Sequence, residues 1–376
     1  MATPFKIQLE PQNSGLLGMK LGQSEASKAT DLLQKDLENH HVFFNESGFH
    51  DHIVHQVLTL YGTGATTKDL DTAYNANKTY QLRAMKPKPD VVDKLEHGSD
   101  WSEYLGKGRN YATFFRFFQD EIERIGWQDT LKEYLFKDDA RGRDMQSRLF
   151  AGILHPLIQL LYGMEWSQPM IIASALAQTA VHRDDYKEFL TAAAGKAQAS
   201  DAPPKMNTIG GLYEDAVKND KLRTSSHWDD SNRIFDEQSW IPDSTKARFL
   251  ENKIRMDLLQ YIARGSPALH GDLLRSYKPK DGENLVGKPE YLFPRIHKVV
   301  DDGHTVKLAR ALMLAQRVTK PYENKEWVKI KGDDEWLRAV YLLLDANEEA
   351  DRQGGTMWVR SSGFDEAWEE IPKAKM

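Results

Sequence analysis

Asn45-Glu46-Ser47-Gly48-Phe49-His50-Asp51-His52-Ile53-Val54-His55-Gln56 runs on through Val57 into Leu58-Thr59-Leu60-Tyr61-Gly62. Three of the chain's twelve histidines therefore stand at the start of one apolar run. Neutral imidazole is the commonest side-chain metal ligand, so histidines packed this tightly against hydrophobic sequence point to a site. On a helix they do not all face one way. At about 100° per residue His52 and His55 lie about 60° apart on one face, whereas His50 and His55 diverge by about 140°. His52 and His55 can share one ion, with His50 nearer the start of the helix. The alternative is an N-terminal turn carrying solvated or core-bonded imidazoles, and the rest of the chain has to decide between the two.

The chain has 376 residues, a length that an all-helical enzyme can wrap round one core. Its formal net charge of -6 and pI near 6.1 leave no basic footprint, and Lys and Arg are scattered among acids, which argues against a nucleic-acid partner. There is no cysteine, so disulfides, thiolate metal sites, iron–sulfur clusters and a cysteine nucleophile are excluded, and any metal must be held by nitrogen and oxygen. Met1-Ala2-Thr3-Pro4-Phe5-Lys6 lacks the apolar core of a signal peptide, and no apolar run reaches the roughly 18 residues of a membrane span. The expected setting is cytoplasmic, with no membrane partner.

Residues 1–26, polar and interrupted by Pro4 and Pro11, read as an extended arm, and 27–376 as one helical domain. Ala29, Leu32, Leu33 and Leu37 mark the first helix, and His40-His41-Val42-Phe43-Phe44-Asn45 is a short aromatic connector. A helix from about His50 to Tyr61 is capped by Gly62, Thr66-Thr67-Lys68-Asp69 opens the next, and Pro87 and Pro89 break the chain. Gly106 and Gly108 superficially suggest a phosphate loop, but no strand precedes them and no third glycine follows. Phe114, Phe115, Phe117 and Phe118 cover both sides of a helix ending at Gly126, the pattern of a segment buried all round.

Between Arg148 and Trp166 one histidine, His155, sits in apolar sequence, and Pro156 bends or restarts the helix there. A second apolar helix, Ile171 to Ala180, leads to His182, a candidate cationic cap. From about Ala194 to Asp243 the composition turns to Ala, Gly, Ser, Asp and Pro, a surface excursion, and helical patterning resumes from Ala247 to Ile262 before His270. In Asp301-Asp302-Gly303-His304-Thr305-Val306-Lys307-Leu308, the helix that follows has Leu308, Ala311, Leu312 and Ala315 as its apolar stripe, and Lys307 beside it is either partly buried or snorkels outward. A helix over Trp336 to Leu344 and an aromatic tail close the chain. With no repeat and no sustained period-two alternation, the fold class is all-α, a single multi-helix domain around a buried histidine-rich site.

Several segments in order, spanning roughly residues 30–370, resemble the questin oxidase-like family: Gly48-Phe49-His50-Asp51-His52-Ile53-Val54-His55, Tyr104-Leu105-Gly106-Lys107 with its Phe-rich helix, Leu154-His155-Pro156-Leu157-Ile158, Asp302-Gly303-His304-Thr305-Val306-Lys307-Leu308 and Gly363-Phe364-Asp365-Glu366-Ala367-Trp368. The resemblance implies an all-helical oxidoreductase of fungal aromatic polyketide secondary metabolism. Such an oxygenase uses O2 for Baeyer–Villiger-type insertion or cleavage of an anthraquinone-like ring, with NADPH as reductant. It also implies a non-haem iron held by four histidines and a carboxylated lysine. Carried over by position, the metal ligands are His52, His55, His155 and Lys307, with His270 as the fourth histidine and His182, His304 and His50 as its competitors. Lys307 and His155 are the catalytic candidates. The chain departs from the family at Gln159, where relatives often place a second histidine.

The chemistry stands beside that resemblance. A lysine amine made neutral by burial can add CO2 and become an anionic oxygen ligand, and imidazoles with one such oxygen suit Fe(II), with zinc or manganese also accommodated. No nucleotide fingerprint is visible, so NADPH enters as a diffusible reductant. The expected partners are a small aromatic polyketide and O2. The competing readings are a metal-dependent hydrolase with a carboxylated lysine and a non-catalytic helical protein.

Overall fold

The computed structural model describes residues 1–45, 48–98, 101–184 and 271–355, with short pieces between 187 and 218 and between 357 and 369. Among them the chain is helical, and its only β pairing is in isolated bridges. It divides into two compact units, Met1–Asp184 with Leu274–Glu349, and Asp185–Leu273 with Ala350–Met376. In the second unit a 3₁₀ turn is described at Asp365–Trp368. His270, the helix expected over 247–262 and most of the excursion over 194–243 lie outside the described residues.

The first unit carries α1 (Gln23–Asn39), α2 (Ile53–Gly62), α3 (Thr67–Asn77), α4 (Pro89–Glu96), α5 (Tyr111–Ile125), α6 (Trp127–Leu131), α7 (Ala140–Leu149), α8 (His155–Glu165), α9 (Pro169–Val181), α10 (His304–Thr319) and most of α11 (Gly332–Arg352). All ten residues of α2 are buried, against α1, α3, α8 and α10, so this helix has no solvent face. Its neighbour α3 begins with a reciprocal capping box between Thr66 and Asp69, which satisfies two N–H groups that a helix start leaves without partners. The four phenylalanines of α5 are all buried, and α5 packs along α9, of which twelve residues are buried. Removing one such core side chain, Leu58→Ala for example, costs about 2–5 kcal/mol.

Two helix details differ from the periodic reading. The α2 helix starts at Ile53, with His52 as its N-cap, because the Asp51 carboxylate accepts the Ile53 N–H at 2.8 Å and ends the extended approach there. On α10 the buried residues are Thr305, Val306, Ala309, Arg310 and Met313, whereas Leu308 is exposed, so the expected stripe through Leu308 and Ala311 is corrected. Arg310 is drawn inward by an ion pair with the half-buried Glu165, which turns the apolar stripe of the sequence away from the core. Pro156, expected to bend or restart a helix, restarts it: it stands in the first turn of α8, where a missing N–H costs nothing.

The N-terminal arm is docked, with Ile7, Leu9 and Leu17 buried. Its backbone is held by side chains of the helices beneath: Gln34 and Thr30 of α1 accept from Ile7 and Leu9, Glu165 accepts from Leu16 at 2.7 Å, and Arg317 donates to the Leu16 and Leu17 carbonyls.

Candidate metal centre

Four separate stretches deliver side chains to one place. His50 arrives on an extended segment bridged to Phe43, His52 caps α2 and His55 lies in its first turn, 1% exposed. His155 opens α8 after Gly152, Ile153 and Leu154, three successive residues with φ of 56°, 52° and 68°. Backbone in that left-handed region costs a non-glycine residue about 1–2 kcal/mol, and such outliers cluster where geometry is functionally constrained. Only glycine fits at 152, since a Cβ there would lie 2.4 Å from the His182 ring and 2.6 Å from the His50 ring.

Lys307 comes from the first turn of α10, whose start is built by Asp301. Its carboxylate accepts the N–H groups of Gly303 (2.6 Å) and Thr305 (2.9 Å), and its carbonyl accepts the amides of Gln56 (3.0 Å) and Asn77 (3.1 Å). Gly303, at φ 90°, lets α10 approach so closely that a Cβ would sit 2.7 Å from Gln56 Cβ. With the Gln56–Asp301 hydrogen bond, which joins residues 245 apart in the chain, it seats Lys307 near His52 and His55.

The imidazoles form a continuous row. His182 Nε2 is 2.6 Å from His50 Nε2, the His50 ring stacks on His155 at 4.0 Å with 5° between planes, and His155 Nε2 is 2.8 Å from His52 Nε2. His52 Nδ1 lies 3.3 Å from Asp302 Oδ2, and the other Asp302 oxygen pairs with His304 Nδ1. His55 completes the group, its ring 6.3 Å from that of His52 and 6.4 Å from that of His155, with Tyr162 against it at 5.2 Å. His55 Nε2 is buried with no hydrogen-bond partner, and the 3.3 Å contact of His52 Nδ1 is too poorly aligned to count as one.

Burial keeps these rings neutral. It pushes His50, His52 and His55 well below the usual histidine range, with Lys307 and the neighbouring imidazoles acting the same way, and brings His155 and His182 down to about 4. His182 is therefore not the cationic cap suggested by its position; its neutral ring points inward to His50. Lys307 falls to about 8, again through burial, with Asp302 and Asp301 partly countering.

Neutrality makes the 2.8 Å contact informative. His155 Nδ1 lies 2.6 Å from the Gly152 carbonyl, which only accepts, so its proton is there and Nε2 carries a lone pair. His52 then has two choices. A proton on its Nε2 turns the Nδ1 lone pair toward the Asp302 carboxylate, whereas a proton on Nδ1 leaves two lone pairs facing each other at 2.8 Å. The second arrangement calls for a cation between them, and the orphaned His55 Nε2 is a third nitrogen of the same kind. The donor set fits a metal that takes nitrogen and oxygen.

The structure thus gathers His52, His55, His155 and Lys307, together with the competitors His50, His182 and His304, while His270 lies outside the described residues. Asp302, Gly152 and Tyr162 went unassigned in the sequence. Tyr162 was detectable, seven residues and two turns beyond His155 on one helical face. His52, Asp302 and His304 also form a group able to hold an ion, as do Asp36, His40 and Asp51. In the latter, burial pushes Asp36 up to about 7 and Asp51 up as well, and the three side chains bring the 50–52 segment beside the end of α1. Gly106 N donates to the Ala180 carbonyl at 2.9 Å, a helix-packing role.

The fold and this centre define a helical protein that closes histidines and one lysine into a buried polar site. Residues 49–239 and 233–312 match the family model described as questin oxidase-like, and the chain belongs to that family. It is similar to Oxidoreductase AflY of Aspergillus parasiticus, 31% identical over 96% of this chain and 86% of that protein. It is likewise similar to Baeyer-Villiger oxidase AgnL3 of Paecilomyces divaricatus, 26% identical over 100% and 97%, and to Questin oxidase of Aspergillus fumigatus, 26% identical over 99% and 100%. Among the described residues no helix is long and apolar enough to cross a membrane.

Proposed function

We propose that this protein is an oxidoreductase of the Baeyer–Villiger type, in which His52, His55, His155 and a carboxylated Lys307 hold a non-haem Fe(II). The reading rests above all on the His52–His155 contact, two neutral rings whose Nε2 atoms meet at 2.8 Å with one proton already committed elsewhere. The names of the relatives set the reaction class. The substrate is an aromatic polyketide ketone of the hydroxyanthraquinone kind. The overall balance takes ring ketone, O2 and NADPH with a proton to the ring-expanded ester, water and NADP⁺, with NADPH arriving as a diffusible reductant; opening that ester to a carboxylic acid and a phenol consumes one further water.

When bound, the iron would supply the electron transfer to O2 that a set of imidazoles lacks. The chain's own residues do the rest. Lys307, brought to about 8 by burial, presents a neutral amine whose lone pair attacks CO2; the N–C bond forms, a proton leaves, and the cation becomes an anionic oxygen donor. The Gly152 carbonyl holds the His155 proton on Nδ1 and so aims Nε2 inward. Burial of α2 excludes water behind His55. Phe49, Ile153 and Leu308, each next to or within two residues of a site residue, are exposed apolar side chains suited to a flat aromatic ring.

The test combines metal analysis of protein purified without chelator with O2 consumption on 1,8-dihydroxyanthraquinone and NADPH. Near-stoichiometric iron and substrate-dependent O2 uptake are expected. Protein loaded with zinc that hydrolyses esters without O2 uptake would establish the hydrolase instead, and protein that retains no metal would end the proposal.

A further inference from the structure

Three helices deliver donors to the centre from their starts: α2 with His55 and its N-cap His52, α8 with His155, and α10 with Lys307. The last turn of each is bonded to one short piece of the N-terminal arm. The Tyr61 hydroxyl of α2 donates to the Glu10 carbonyl at 2.9 Å, and Glu165 of α8 accepts the Leu16 N–H at 2.7 Å. Arg317 of α10 donates to the carbonyls of Leu16 and Leu17 at 2.6 and 2.8 Å. Just past α8, the Gln168 side chain accepts from Gln8 N at 3.0 Å and donates to its carbonyl at 2.9 Å. The Glu165 oxygen that takes the Leu16 N–H also takes Arg310 of α10, so arm, α8 and α10 meet at one atom. Gly15, at φ 57°, makes room for this: a Cβ there would lie 2.5 Å from that oxygen and 2.8 Å from the Trp166 ring.

We infer that residues 8–17 are a positioning strap for the centre: by tying together the far ends of α2, α8 and α10, they fix how the near ends converge. The anchors Tyr61, Glu165 and Arg317 stand six residues beyond His55, ten beyond His155 and ten beyond Lys307, about 9–15 Å along the helix axes. Over that length a helix acts as a rigid element, so a shift at one end is carried to the other. At Glu10, Leu16 and Leu17 the bonds run to backbone atoms of the arm, which is why its polar sequence carries no mark of the role. Coupling between two sites is reciprocal, so an ion that draws the near ends together also tightens the strap. That consequence for metal affinity rests on the metal reading above; the coupling of the arm to the helix starts does not.

The experiment uses the full chain in three forms, wild type, Arg317→Met and Tyr61→Phe. Arg317 is exposed and phenylalanine keeps the buried ring of Tyr61, so each variant removes strap bonds at one helix and leaves the core in place. In metal-free protein, hydrogen–deuterium exchange read by mass spectrometry should be about fivefold or more faster over the first two turns of α2, α8 and α10 in both variants. Exchange in α7 is the internal reference. No acceleration, acceleration confined to the substituted helix, or an equal rise in α7 overturns the inference. Anaerobic titration with Co(II), followed by its visible absorption and by chelator competition, should show affinity about fivefold or more weaker in both variants. Co(II) should also slow exchange in the wild-type arm peptide that contains Leu16. Equal Co(II) affinity in all three forms, or an arm whose exchange ignores Co(II), overturns the inference and leaves the metal reading intact. A wild type that binds no Co(II), with faster exchange spread over all three helices in the variants, supports the strap and ends the metal reading.

Discussion

Lys307→Arg is the decisive perturbation, because the carboxylated-ligand reading and a plain surface-cation reading give opposite answers. With its amine brought to about 8, Lys307 is neutral in roughly one molecule in five at pH 7.4, against about one in a thousand for an ordinary lysine, a gain of about 200-fold in the form that reacts with CO2. Arginine stays charged at any workable pH, cannot form the carbamate, and places a fixed cation beside His52, His55 and His155. Even loss of an outer partner costs a metal site about 10–100-fold in affinity, so loss of an anionic ligand should cost at least the upper end of that range. The assay is iron content after anaerobic equilibration in a chelator buffer, with and without ¹³C-bicarbonate, together with a carbon-13 search for a carbamate. At fixed dissolved CO2, the rate of carbamate formation should rise about tenfold per pH unit below pH 8 and level off above it. Full iron content and turnover in Lys307→Arg, with no carbamate in the wild type, would refute the reasoning.

The metal-free protein should grow more stable between about pH 8 and about 10.4: the folded-state amine is depressed below its unfolded value, so the unfolded chain binds the extra proton throughout that window. Thermal melts in chelator should show the rise in wild type and not in Lys307→Met; the same slope in both would locate its source elsewhere. Gly152→Ala should lose about 1–2 kcal/mol from the left-handed backbone alone, and more as its Cβ displaces His50 and His182, read as a lower melting temperature with loss of metal. An alanine variant that keeps wild-type metal affinity would show that the row of rings tolerates the shift. His55→Ala and His155→Ala should each abolish stoichiometric iron retention. His297→Ala, which removes a buried ring whose Nε2 meets the Thr63 hydroxyl at 2.9 Å, should keep its iron and lose about 1–3 kcal/mol of stability. Iron loss in His297→Ala matching the other two would mean that general destabilisation, and not ligand loss, is being measured.

Much of the helical framework was legible because its signals are local. The spacing of Ala29, Leu32, Leu33 and Leu37, the Thr66–Asp69 box, the four phenylalanines of α5 and the proline after His155 act within one or two turns and survive into the fold. The candidate site was legible as residue types: imidazoles at close spacing, a lysine on a helix and no thiol anywhere. What the tertiary structure decided is where those groups point and what charge they carry. The stripe through Leu308 and Ala311 was the better hydrophobic pattern, yet α10 buries the face with Arg310, because Glu165 waits 145 residues away to pair with it. His182 read as a cationic cap, and became a neutral ring only because the fold buries it against His50 and Gly152. Lys307 carries no mark in its own sequence of an amine brought to about 8. That property arises when Asp301 and Gly303 lay α10 against α2, and the energy of burying a charge depends on neighbours that periodicity, a property of one helix at a time, does not contain.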